Sequence, residues 1–157
     1  MKPNIETIVK SVDRRRLAEG LVLSLASTFT LAVKTQSYSW NVSGPFSASL
    51  RTLFTDMHRD QFAAVEEIAV RIRVLGTPAP SAFSQFSVLS GITEEAESPE
   101  WREMVRQLVD DQDAVAKVCQ RVHDTAELFN DTATLSLMAR RITRHERNAW
   151  ELKVLLD

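Results

Sequence analysis

Helix-breaking residues are few and grouped, and that constrains this chain more than any other feature. Four glycines and five prolines are spread over 157 residues, and between their clusters lie long stretches free for helix. Apolar residues recur every three or four positions along those stretches, as one buried face of a helix requires. No useful length of strand-like alternation interrupts them. The first stretch is expected from about Asp13, a natural N-cap, to about Val42, striped by Leu17, Leu21, Leu25, Phe29 and Ala32. Ser43-Gly44-Pro45 breaks it. The second runs from about Ser47 to Leu75, with Leu50, Leu53, Phe54, Met57, Val65, Ile68 and Ile72 in phase and Gln61 interrupting them. Gly76 stands where a helix C-terminus favours glycine, and Pro78 and Pro80 prevent resumption.

Residues 81–97 make a longer connection whose segment SAFSQFSVL predicts a short helix. Ser98 as N-cap and Pro99 at the first helical position open the third long helix, carrying Trp101, Met104, Val105, Leu108, Val115, Val118, Val122 and Phe129. Asn130-Asp131 caps the fourth, striped by Leu135, Met138, Ile142, His145, Ala149, Leu152 and Leu156. The pattern is all-α: a four-helix bundle with one long crossover, carrying a short helix, between helices 2 and 3. A chain of this length fits one domain, 1–157, with residues 1–12 expected as a flexible tail.

Composition closes off several classes. Hydrophobic residues at 44% and charged residues at 25% exclude disorder as the main state. A formal net charge of -2 gives no global positive field toward nucleic acid or acidic membrane, so any such attraction must be local or repeated by assembly. The one cysteine, Cys119, forms no intrachain disulfide; it reads as a buried apolar residue in a reducing compartment, which points to the cytoplasm. The opening MKPNIETIVKSVDRRR lacks the apolar run of a signal peptide. No membrane helix is expected, because nowhere do about 18 uncharged apolar residues follow one another.

The stretch from Lys34 to Gly76 contains KTQ-x-Y-x-WNV-x-GP, then L-x-x-LF, then EIA-x-RIR-x-LG. A second group closes the chain: Asp131-Thr132-Ala133-Thr134, His145-Glu146-Arg147, Ala149-Trp150 and Leu152. Together these resemble the Dps family, the small ferritin-like proteins of starved bacteria, over nearly the whole chain after residue 15. The resemblance implies a ferritin-like bundle and a hollow dodecameric shell. It also implies oxidation of ferrous iron at sites between two-fold-related subunits, storage of the mineral inside and, in many members, sequence-blind DNA binding that spares DNA from oxidants.

It further implies where iron would sit. The family site takes a histidine beside the tryptophan of the first helix, and a second histidine and a carboxylate one turn apart on the second. A late carboxylate pair comes from the second helix of the neighbouring subunit. Iron that cycles between oxidation states wants imidazole together with hard carboxylate oxygen. Here those positions read Ser39, Arg51, Thr55, Glu66 and Val70, and Glu66 alone keeps a ligand. Arg51 cannot ligate, since its guanidinium stays charged and has no lone pair to give. No cofactor is therefore expected at the usual site, and the family's ferroxidase activity is expected to be absent. Instead Arg51 is expected to face Glu66 of the partner subunit, one charge standing in for the metal.

The bundle-core alternative needs Glu-x-x-His pairs, and none of the three histidines, His58, His123 and His145, has one. His58 is expected to be partly exposed, His145 to be a hydrogen-bonded core residue, and Trp40 to pack. At the entry pore the family's first acid matches Asp131, also a natural N-cap, whereas two further acidic positions are Ser136 and Arg140. Lys2, Lys10, Arg14, Arg15 and Arg16 are the candidate DNA contacts, a modest footprint that a shell would multiply; DNA binding would place the protein on the nucleoid. Three readings stay open: a non-enzymatic protective homo-oligomer concerned with iron homeostasis, an active iron-storing mini-ferritin with iron at a displaced site, and a subunit that works by co-assembly with an active paralogue.

Overall fold

A computed structural model describes residues 5–157, with side chains from Lys10 onward. Five helices follow one another: α1 (Ile5–Asn41), α2 (Ser47–Val74), α3 (Phe83–Leu89), α4 (Trp101–Leu128) and α5 (Thr132–Val154). No strand occurs among the described residues. The four long helices form a bundle of two hairpins, α1–α2 and α4–α5, with α1 also packed along α4, and α3 lies on α1 within the crossover. The expected four-helix architecture with its short crossover helix is the one observed.

The stripes read from the sequence form the core. Leu21, Leu25, Leu31, Phe54, Met57, Ile68, Ile72, Met104, Leu108, Met138 and Leu152 are all fully buried, each worth about 1.5–3 kcal/mol of transfer free energy. Gly20 lets α1 approach α4, since a Cβ there would stand 3.0 Å from Val122 Cγ2. The chain reverses between α1 and α2 at Gly44, with φ +96°, and leaves α2 through Gly76, with φ +90°. Phe86 anchors α3 by stacking on Phe29, ring centroids 4.4 Å apart. α1 is long and apolar enough to span a membrane by composition, yet 67% of its most apolar window is buried in the bundle, so that apolarity serves core packing.

Three expectations need correction. The first helix starts at Ile5, so Asp13 lies inside it rather than capping it; no glycine or proline between Asn4 and Arg16 stops the helix. Residues 5–12 are thus helical, while the start of the expected tail, with Lys2, lies outside the described residues. Ser98-Pro99 does not open α4. Glu100 is the N-cap, with extended backbone (ψ 159°) and no side-chain cap, because its carbonyl accepts first, from Glu103 N and Met104 N at 3.0 Å each.

Candidate functional site

The end of α1 and the first half of α2 enclose a concavity of about 520 Å³ lined by Gln36, Ser39, Trp40, Arg51, Thr55, His58 and Arg59. Three of the five positions matched to family ligands therefore meet: Ser39, Arg51 and Thr55. Their chemistry does not suit iron. Ser39 is buried and its hydroxyl donates to Gln36 O at 2.7 Å. Arg51 is exposed at the rim and Thr55 half-buried. Two guanidiniums, Arg51 and Arg59, lie around hydroxyls and one imidazole, and a positive wall repels ferrous ion. Among the described residues no three histidine, cysteine or acidic side chains converge anywhere as a metal site.

His58 is buried rather than partly exposed, at 9%, with its ring against Phe62, centroids 6.0 Å apart. Burial, helped by the charge on Arg59, lowers its pKa, and its Nδ1 has no partner within the protein. Trp40 does not pack within the chain. It is 67% exposed, at the last turn of α1, on the side turned away from the core.

Glu66 and Val70 lie elsewhere, both exposed, in a second concavity of about 380 Å³ with Glu67, Arg71, Val74, Leu137 and Arg140. Arg51 and Glu66 are fifteen residues apart on one helix, about 22 Å along its axis, so one chain cannot bring them together. Any site that uses both must take them from two copies.

The matched pore position, Asp131, is committed twice. It is the N-cap of α5, accepting from Thr134 N at 3.1 Å, and it receives Arg71 Nη2 at 2.7 and 2.6 Å on its two oxygens. Burial pushes its carboxyl up, but the hydrogen bonds from Arg71 and Thr134 outweigh that and hold it below the usual range. Arg140 reaches Glu67 at 2.8 Å and Ser136 at 3.3 Å. Asp131 and Glu67 thus each already have an arginine.

Arg14, Arg15 and Arg16 are exposed about three turns into α1. They fan apart: Arg14 borders a hollow with Lys10, Arg71 and Asp131, while Arg16 lies over the Phe129 ring at 5.7 Å and borders a groove with Arg121. Cys119 is fully buried, beside Ser24 at 3.5 Å, and burial raises its thiol pKa. His145 is the core histidine expected, its Nδ1 2.6 Å from Gln112 Oε1.

Sequence reasoning missed the ion pairs that cross the bundle. Lys34 meets Asp111 at 2.7 Å, and Arg141 meets Asp60 at 2.8 Å. The available signal was a charged residue in phase with apolar ones, as at Lys34, three residues after Leu31 and four before Tyr38 on α1.

Comparison with known proteins decides the family. The ferritin-like domain family matches residues 18–157. A Dps protein of Vibrio cholerae O1, described as a member of a broad superfamily of ferritin-like diiron-carboxylate proteins, superposes with a TM-score of 0.90 at 25% identity, covering 94% of this chain and 92% of that one. This chain belongs to the Dps family of ferritin-like proteins. Its relatives include the DNA protection during starvation protein 2 of Bacillus anthracis, 24% identical over 91% of this chain and 98% of that protein. A low temperature-induced protein of Nostoc sp. is 27% identical over 99% of this chain and 88% of its own length. In this Dps-family chain the basic residues Lys10, Arg14, Arg15 and Arg16 all precede the matched domain.

Proposed function

We propose that the protein is a shell-forming Dps-family subunit of stress protection and iron homeostasis that does without the inter-subunit ferroxidase centre. The observation carrying this reading is the donor set of the first concavity: Ser39, Arg51 and Thr55, with Arg59 beside them. A bare ferrous ion there would meet two fixed cations and hydroxyls already bonded or weakly basic. In a homo-oligomer, with a dodecamer expected, Arg51 pairs with Glu66 of the partner subunit, giving two symmetry-related ion pairs in place of two metal sites. An unpaired carboxylate closed into such a seam would be costly, so a guanidinium is the natural substitute. Asp131 and Glu67 are occupied by Arg71 and Arg140, which supports slow cation entry. The protein works in the cytoplasm.

Aerobic ferrous titration of the purified oligomer tests the reading. Oxidation and mineral growth should be no faster than in buffer; rapid, saturable oxidation would overturn it. One observation favours a second reading, a displaced iron site on His58, whose Nδ1 has no protein partner. Oxidation abolished by His58→Ala would establish that reading instead. Relatives named for DNA protection, with the exposed Arg14, Arg15 and Arg16 on α1, support sequence-blind DNA binding by the shell, on the nucleoid.

A further inference from the structure

Five side chains spread over roughly one helical turn of the bundle's height are polar, fully buried and short of partners within the protein. They are Thr28 on α1, Gln61 on α2, Gln112 on α4, and His145 and Asn148 on α5, each 0% exposed. Cross-helix contacts set their heights. Arg141 meets Asp60, the neighbour of Gln61, at 2.8 Å. Gln112 Oε1 lies 2.6 Å from His145 Nδ1 and 3.4 Å from Asn148 Nδ2. Ser24 with Cys119 and Lys34 with Asp111 bracket Thr28 and Gln112 along α1 and α4.

The hydrogen bonds that do form fix the chemistry of those that do not. Gln112 Oε1 is an acceptor, so His145 Nδ1 carries the proton and Nε2 is left as a lone pair. Without a partner in the protein are Gln61 Oε1 and Nε2, Gln112 Nε2, Asn148 Oδ1, His145 Nε2 and Thr28 Oγ1. Buried polar groups left unmade are among the costliest features a core can hold. The set mixes donors and acceptors and is uncharged. A bare cation would face amide N–H groups and the nearby Arg141; an anion would face the Asn148 oxygen and the imidazole lone pair. A molecule that both donates and accepts satisfies both kinds, and water does so with about three bonds.

We propose that this layer is a built hydration site, in which a small cluster of ordered water bonded by Gln61, Gln112, His145 and Asn148 ties α2, α4 and α5 together at mid-height. Its outer border is Arg141, 9% exposed, then Asp60 and Arg144, 29% and 31% exposed, a polar route by which solvent reaches the layer. A satisfied polar layer pins the axial register of helices that leucine packing alone would allow to slide.

Thermal unfolding of the intact oligomer tests this, comparing wild type with Gln61→Leu, which keeps the volume. A bridged amide predicts a Tm lower by about 4 °C or more; an unchanged or higher Tm means that the amide was a dry liability and overturns the proposal. Should the variant fail to assemble, a high-resolution crystal structure of wild type, with and without a zinc soak, decides. Solvent density within hydrogen-bond distance of Gln61 and His145 supports the site. A dry layer, or anomalous signal beside His145 Nε2, overturns it.

Discussion

Single residues set the sign of two measurable effects. His145 is fully buried, and burial lowers its pKa to about 3 from 6.5, with the charge on Arg141 adding to the effect. Its unfolded form therefore takes up a proton that the folded form refuses. Stability that is full above about pH 6.5 falls as pH drops toward 3, at up to about 1.4 kcal/mol per pH unit. His145→Gln should flatten the acid limb of the Tm-against-pH curve between those values, at a cost in Tm at pH 7. Arg51 has no charge partner among the described residues and sits on the rim beside Trp40. If it closes the subunit seam, Arg51→Ala weakens association by about tenfold or more, Arg51→Lys by less, and ferrous iron rescues neither. Sedimentation across a dilution series reads all three. Equal dissociation of both variants from wild type would leave the charge without a role.

At the scale of the element, α5 depends most on one residue. Asp131 caps it and grips Arg71, so one carboxylate joins the start of α5 to the end of α2. α2 and α5 share few backbone contacts, and long arginine side chains span the gap: Arg71 to Asp131, Arg140 to Glu67, Arg141 to Asp60. Asp131→Ala should cost about 1–2 kcal/mol in urea unfolding from the cap alone, and more if Arg71, 20% exposed, stays unpaired. Because the folded pKa of Asp131 is depressed, its contribution is present above about pH 4 and fades as pH falls below that. Asp131→Asn should lose the charge part at neutral pH and show a weaker acid dependence. α1 teaches the opposite lesson about signals. Asp13 has the residue type of a cap, yet a cap acts only where the helix ends, and nothing before it ends the helix.

At the scale of the molecule, Trp40, Val70, Val74, Phe83, Val88 and Trp150 are each more than half exposed, apolar surface that the proposed homo-oligomer would cover in part. A shell repeats Arg14, Arg15 and Arg16 many times, and weak phosphate contacts add when presented together. Gel shifts with plasmid DNA should therefore weaken steeply, by about tenfold or more, between 50 and 200 mM salt. The triple change to alanine at Arg14, Arg15 and Arg16 should abolish them. A shift that ignores salt would point away from phosphate contacts.

The all-α bundle was legible in the chain because helix period and helix breakers are local properties, written in residues three, four or one apart. The residue types at Ser39, Arg51, Thr55 and Val70, on which the proposed loss of the ferroxidase centre rests, are likewise read directly from the chain. Tertiary structure alone decided the rest. It buried His58 and exposed Trp40, gave Asp131 to Arg71, joined Lys34 to Asp111, and left Thr28, Gln61, Gln112, His145 and Asn148 fully buried with polar atoms unpartnered in the protein. Each of these depends on which turn of one helix lies opposite which turn of another. That axial register comes from the packing of all four helices at once, and no single stretch of sequence contains it.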